Sequence, residues 1–166
     1  MKVTSLLFSL AFIIVLISCK KSSTTASITN CDGLITDTTG TGDNARVYMP
    51  NAFTPNYDGL NDICRPLTLN VAAISFSIYD ESNSIVYTTN VMNQGWLASN
   101  LANTNIKFYY RIQATTNSGH HICKCGELMY LTCIKAGTAL SNYYFEDQLT
   151  VNGFTGVTAE HLATCP

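Results

Sequence analysis

The sequence predicts an all-β protein whose short strands pack as a sandwich. Apolar and polar side chains alternate at residues 74–79 and again at residues 106–113, which is the pattern of half-buried strands. Turns rich in Asn, Ser and Gly separate such runs, and charged residues make up only 12% of the chain. No segment after residue 18 has a clear helical period, so we expect two packed sheets joined by turns.

The N-terminus has the features of an export signal. Lys2 precedes an apolar run over residues 6–17, which is too short to span a bilayer and has the length of a signal-peptide core. The run ends in Leu-Ile-Ser-Cys, which resembles the lipobox of bacterial lipoproteins. This resemblance implies a lipoprotein signal peptide over residues 1–18 and acylation of Cys19. The alternative is an ordinary secretory signal in which Cys19 has no special role.

Residues 19–45 are predicted to form a flexible tether, because they are polar, rich in Ser and Thr, and lack hydrophobic periodicity. Lys20 and Lys21 directly follow the lipidated cysteine. Surface-displayed lipoproteins of some bacteria resemble one another in carrying acidic residues at this place. Lysines here therefore favour a lipid anchor in the outer membrane that faces the periplasm rather than the cell surface.

The domain after the tether is predicted over residues 46–134. Its strands share an apolar, β-prone pattern and end at turn-forming residues. In chain order they cover residues 74–79, 85–88, 106–113, 121–125 and 128–134. Turns are predicted at residues 81–84 and 117–119, and Gly126 marks a bend or bulge between the last two strands.

Residues 135–166 are predicted to be a C-terminal extension that packs on the domain. Residues 143–151 can add a strand to it. Thr158 is suited to cap one short helix that ends at Ala163. Cys165 is placed to staple the end of the chain through a disulfide.

The stretch MPNAFTPNYDGLNDICRP resembles the opening signature of the gliding motility-associated C-terminal domain of Bacteroidetes proteins. A Gly-Trp element at residues 95–96 resembles a later part of that domain, and the similarity covers about residues 47–134. The resemblance implies an immunoglobulin-like β-sandwich and, in the relatives, a sorting role in type IX secretion. The matching signature positions are Pro50, Asn51, Phe53, Thr54, Pro55, Asn56, Asp58, Gly59, Asn61 and Asp62.

The same stretch offers oxygen ligands for a cation. Asn56, Asp58, Asn61 and Asp62 place amide and carboxylate oxygens around a glycine turn, which partly matches the first half of a calcium loop. The second half does not match, because Arg65 stands where a bidentate Glu would close the site. The favoured alternative is that these side chains cap backbone amides within an ordered loop. No other cofactor is expected.

Six cysteines remain besides Cys19, an even number in an exported protein. They allow fifteen pairings. The pairing that we consider joins Cys31 to Cys165, and Cys64 to a cysteine in the region 123–133. The disulfide candidates are Cys31, Cys64, Cys123, Cys125, Cys133 and Cys165.

A zinc site is disfavoured, although cysteines and histidines cluster in the sequence. The spacing of Cys-Lys-Cys is shorter than that of the usual zinc motifs, and an oxidising compartment favours disulfides. The residues in question are His120, His121, Cys123, Cys125 and Cys133.

We expect a non-enzymatic, lipid-anchored cell-envelope protein whose domain serves interaction or assembly. Only three histidines exist, and no nucleophile lies in a recognisable catalytic pattern. The net charge of −2 and the lack of a basic stripe argue against a nucleic-acid partner. The expected partners are the membrane, through the lipid, and a protein or glycan of the envelope.

Two alternative functions stay open. One is an accessory or sorting-related component of gliding motility or type IX secretion, as the resemblance implies. The other is a small glycan-binding lipoprotein that uses Trp96, whose competing interpretation is that the ring packs in the core.

Overall fold

The computed structural model describes Cys31 and residues 44–99, 101, 104–150 and 153–166. The predicted signal peptide, Cys19 and most of the tether lie outside these residues. The described part is mostly β, as predicted, and contains no α-helix, while none of its helical turns is long and apolar enough to cross a membrane. Its elements in chain order are β1 (Arg46–Tyr48), β2 (Ala52–Phe53), β3 (Leu67–Leu69), β4 (Val71–Tyr79), β5 (Ile85–Thr89), β6 (Ile106–Thr116), β7 (His121–Tyr130), 3-10 turns at Leu140–Asn142 and Glu146–Gln148, β8 (Leu149–Thr150) and β9 (Gly153–Phe154).

A mixed sheet of five strands dominates the described part, in the order β2-β7-β6-β4-β5. Strand β2 runs parallel to β7, whereas the other neighbours in this sheet are antiparallel. Strands β1 and β3 form a separate antiparallel pair, and so do β8 and β9. The sheet thus has two different edges, a very short one at β2 and a longer one at β5.

The hairpin of β4 and β5 confirms the predicted alternation. Ile74, Phe76 and Ile78 are at most 5% exposed, because side chains two residues apart lie on the same face of a strand. Asp80 forms the turn, since its Oδ1 accepts hydrogen bonds from the backbone N–H groups of Ser82 and Ser84. The strand-turn-strand pattern was therefore readable from local sequence.

Strand β7 continues through Gly126 with no shift of register, so the predicted bulge at this residue is wrong. The pairing of β6 with β7 is continuous, and Gly126 lies opposite Tyr110. A Cβ atom at Gly126 would lie 3.0 Å from Tyr110 Oη. The glycine makes room for the tyrosine ring across the strands, which is a requirement of packing and not of chain direction.

The main hydrophobic core gathers side chains from β1, β2 and the central strands. Val47 of β1 joins Phe53, Phe76, Ile112 and Leu128 in it, and each of these side chains is at most 3% exposed. Burying one such side chain contributes roughly 1.5–3 kcal/mol. A second cluster, formed by Ala52, Leu131 and Phe145, joins the short edge of the sheet to the C-terminal extension.

The predicted terminal helix is wrong. Residues 157–163 form no helix, and Thr158 Oγ1 instead accepts a hydrogen bond from the backbone N–H of Glu160 in a local turn. The Thr158 hydroxyl and the Ala159 N–H both donate to Asp147 Oδ2. Thr158 therefore caps a local turn and not a helix, and the contacts with Asp147 hold the chain in a non-helical form.

The considered disulfide pairing is also wrong. The structure joins Cys31 to Cys125 and Cys133 to Cys165. Cys64 is fully buried and keeps its thiol. The Cys133–Cys165 disulfide closes a loop that contains residues 134–164, next to the bridge between Ile134 and Thr164.

Candidate functional site: the signature loop and its C-terminal cover

The signature loop, residues 50–62, is anchored at its start by buried side chains. Phe53 is 1% exposed, and its ring lies 5.6 Å from that of Trp96 and 5.7 Å from that of Tyr130. Thr54 follows it and is fully buried, while its backbone N–H donates to the carbonyl of Asn61. The two ends of the loop are therefore held together on the core.

The tip of the loop is organised by its own Asx side chains. Asn56 Oδ1 accepts from the Asp58 N–H, and Asp58 Oδ1 accepts from the Leu60 N–H at 2.8 Å. Asp62 accepts from the N–H groups of Tyr57 at 2.7 Å and Gly59 at 2.8 Å. Carboxylates that accept backbone N–H bonds are a strong form of local capping.

These contacts match the capping interpretation of the four candidate calcium ligands. Three of them, Asn56, Asp58 and Asp62, direct oxygens at backbone N–H groups of the loop. The fourth, Asn61, contacts the C-terminal extension, since its Oδ1 accepts from the Asp147 N–H. Within the described residues, the only cluster of three acidic, cysteine or histidine side chains close enough to share a metal ion is a cysteine trio far from this loop in sequence. Calcium binding stays the disfavoured alternative.

A buried carboxylate from the extension reaches the base of the loop. Glu160 is 2% exposed, and its Oε2 accepts from Thr54 Oγ1 at 2.6 Å and from Asn61 Nδ2 at 3.2 Å. Its second oxygen, Oε1, is buried and has no hydrogen-bond partner among the residues that the structure describes. The role of Glu160 was not predicted, because nothing near it in the chain indicates burial or a partner.

Two further contacts fix the extension over the loop. The Arg65 Nε–H donates to both carboxylate oxygens of Glu146, at 3.0 and 3.1 Å. The Asn51 N–H donates to the Tyr144 carbonyl at 3.0 Å, and the Tyr144 N–H donates to the side-chain Oδ1 of Asn51. Arg65 stands where a calcium loop would carry a Glu, and it binds Glu146 instead. Nothing in the sequence indicated this partner.

The extension leaves an open cleft beside the loop. The cleft has a volume of about 310 Å³ and is lined by Asn61, Asp62, Arg65, Glu146 and Asp147, among others. The tip of the loop is exposed from Asn56 to Gly59, and Tyr57 is 67% exposed. A partner can therefore contact the tip while the base stays covered.

The two edges of the main sheet differ in protection. The extension covers the short β2 edge, whereas the outer side of β5 has no strand partner within the described residues. Ile85 is 59% exposed and Val86 is 39% exposed on β5. No charged side chain occurs between Glu81 and Lys107, although charges are a common protection of open edges.

Trp96 is half-buried, and its ring packs against the core. Its ring contacts Phe53 and lies 5.0 Å from the ring of Phe108. Its backbone pairs with that of Cys64, because the preceding Gly95 allows a close approach to residues 63–65. The contacts agree with the packing interpretation of Trp96, and glycan binding through this ring has no support in them.

The described cysteines fall into three groups. Cys64 is a buried thiol, Cys133 and Cys165 form a disulfide, and the other three form a cluster. Burial raises the pKa of the Cys64 thiol well above its usual range, and the Glu146 carboxylate adds to the rise. The sulfur atoms of Cys31, Cys123 and Cys125 all lie within 4.8 Å of one another. The cluster contains neither Cys133 nor a histidine, so it differs from the disfavoured zinc set.

Comparison with known protein families matches residues 47–129 to the CHU_C type IX secretion signal domain. The chain belongs to this family. The match covers half of the chain and includes the signature loop, which agrees with the predicted link to type IX secretion. No curated protein and no solved structure matches the chain.

The CHU_C match includes the signature loop but not the C-terminal extension that packs on it. Asn51, Thr54 and Asn61 lie within the matched residues, whereas their partners Tyr144 and Glu160 lie beyond residue 129. The C-terminal extension of this chain therefore binds signature positions of the CHU_C domain. A type IX secretion signal domain implies export to the cell envelope or surface.

Proposed function

We propose that this chain is a type IX secretion-associated envelope protein, whose CHU_C domain acts as a sorting-related or accessory element. The observation that carries the proposal is the match of residues 47–129, which includes the complete signature loop. The loop is preorganised by Asp58 and Asp62, so a receptor meets a fixed shape at low entropic cost. Its exposed tip, with Tyr57 at the centre, is the contact surface that we assign to the export machinery.

The proposal includes a lipid anchor at Cys19 and an immunoglobulin-like sandwich. The lipobox-like sequence supports the anchor, and the joint burial of Val47 and Phe76 supports two layers around one core. Metabolic labelling with palmitate tests the anchor. Label in the unaltered chain and none in Cys19→Ala is the expected result, whereas an unlabelled chain would remove the anchor from the proposal.

The domain acts by binding and not by catalysis in this proposal, and its partner is a protein. A second candidate, an interaction module that uses strand addition, is favoured by the open β5 edge. Its test compares Ile85→Lys with Leu69→Lys, a substitution of another exposed apolar side chain. Cross-linking to an identified envelope protein that is lost only in Ile85→Lys would support this role.

The sorting role is tested with the tagged full chain in a strain with a working type IX pathway and in one without it. We expect protease added to intact cells to cleave the tag only in the first strain. Tyr57→Ala should lower the exported fraction, while Val157→Ala, which changes a side chain that is 92% exposed, should not. Periplasmic retention in both strains would contradict the proposal and agree with the periplasmic anchor expected from the two lysines.

A further inference from the structure

The cluster of Cys31, Cys123 and Cys125 combines a disulfide with a neighbouring thiol. Cys31 and Cys125 form the disulfide, and Cys123 carries a thiol. All three sulfur atoms lie within 4.8 Å of one another. This is the distance range in which a thiol can approach a disulfide after a small side-chain rotation.

The strand geometry explains why both cysteines of β7 face the same partner. Cys123 and Cys125 are two residues apart, so their side chains leave the same face of the sheet. The Cα atom of Cys31 is 5.7 Å from that of Cys125, a usual separation for a disulfide. Cys123 is thus the neighbouring position at which Cys31 can form the same kind of bond.

The surroundings favour thiol chemistry at this place. Arg111 lies directly opposite Cys125 in the pairing of β6 with β7, which places a cationic residue on the strand beside the cluster. All three cysteines are half-buried, so they are reachable by solvent protons and small reagents. Cys64, in contrast, is fully buried and lies outside the cluster.

We propose that these three residues form a thiol–disulfide exchange centre in which Cys31 moves between Cys125 and Cys123. The Cys123 thiolate attacks the sulfur of Cys31, the Cys31–Cys123 bond forms, and the Cys31–Cys125 bond breaks. Cys125 leaves as a thiolate and takes up a proton equivalent to the one that Cys123 lost. The exchange is an isomerisation that needs no external oxidant or reductant. It shifts the attachment of Cys31 along β7 from residue 125 to residue 123 without releasing it.

The first test follows the position of the thiol in the unaltered chain. The protein is treated with N-ethylmaleimide after incubation at pH 8, and a parallel sample is kept at pH 4. Trypsin cleaves after Lys124 and Glu-C cleaves after Glu127, so Cys123, Cys125 and Cys133 fall on separate peptides. We expect label at both Cys123 and Cys125 after incubation at pH 8, with exchange about tenfold faster per pH unit below the thiol pKa.

The second test uses two single variants. Cys125→Ser is expected to form a Cys31–Cys123 disulfide, whereas Cys123→Ser keeps Cys31–Cys125 and shows no label at residue 125. The Cys133–Cys165 disulfide and the buried Cys64 are internal controls, which stay bonded and unlabelled while the protein is folded.

Label confined to Cys123 in the unaltered chain at every pH and incubation time would overturn the proposal. A Cys31 thiol that reacts freely in folded Cys125→Ser would overturn it as well. If Cys125→Ser does not fold, the labelling of the unaltered chain decides the question by itself.

Discussion

Thr54 and Glu160 meet in the interior of the protein, although 106 positions separate them in the chain. The Thr54 hydroxyl donates to Glu160 Oε2 at 2.6 Å, and both side chains are at most 2% exposed. This contact joins the CHU_C signature to a segment outside the matched residues. The extension is therefore part of the same folded unit as the loop, which gives the predictions below their measurable effects on stability.

Replacing Thr54 by Val should lower the free energy of unfolding by about 2 kcal/mol. The change keeps the shape of the side chain but removes a donor from a buried carboxylate, and hydrogen bonds to charged groups contribute roughly 1.5–3 kcal/mol. Urea denaturation measures the effect, with Thr88→Val on the exposed face of β5 as the control. Equal stability of both variants would show that the Thr54–Glu160 contact does not stabilise the fold.

Replacing Gly95 by Ala should destabilise the protein by about 3 kcal/mol, more than Gly126→Ala. A Cβ at Gly95 would lie 2.4 Å from Ile63 Cγ2 and 2.7 Å from the backbone carbonyl oxygen of Cys64, which cannot move aside easily. At Gly126 the contact is with the end of the Tyr110 side chain, at 3.0 Å. Denaturant titration of both variants gives the comparison, and the reverse order would be incompatible with this packing.

Adding calcium or a chelator should leave the thermal midpoint unchanged. The oxygens of Asn56, Asp58 and Asp62 already accept backbone N–H bonds, so a bound ion would have to compete with them. A site filled at a hundred times its dissociation constant would stabilise the fold by about 2.7 kcal/mol, which calorimetry detects easily. A midpoint that rises with calcium and falls again with chelator would establish the cation site instead.

Stability should fall in alkaline solution because of Cys64. Burial raises the pKa of this thiol in the folded state, so the folded protein keeps a proton that the unfolded chain loses. The stabilisation from the protonated Cys64 thiol is fully present below the pKa of the unfolded thiol, about 8.5. The free energy of unfolding then decreases by about 1.4 kcal/mol per pH unit as the pH rises above that value. Urea denaturation between pH 7 and 10 measures this slope.

The matched control for this pH effect is Cys64→Ala. Both proteins should carry Cys123→Ser, which removes the exchange reaction at high pH. We expect a shallower decline in the variant without the Cys64 thiol. Parallel curves would assign the alkaline loss to other groups, such as Tyr110, whose pKa burial also raises.

The strands of the central hairpins were predictable because their signal is local. Ile74, Phe76 and Ile78 repeat with the period of a strand, and Asp80 and its neighbours turn the chain by hydrogen bonds within five residues. The signature loop was predictable in the same way, since Asx side chains cap amides only two to five residues away. Each of these features depends on neighbours in sequence.

The sequence by itself therefore determined the β class, the hairpins, the ordered loop and the link to type IX secretion. Only the tertiary structure decided that Cys31 pairs with Cys125, that Arg65 binds Glu146 and that Glu160 is buried against Thr54. The physical reason is that these partners are 81 to 106 residues apart and are brought together by the burial of a common core, which leaves no periodic trace in the chain.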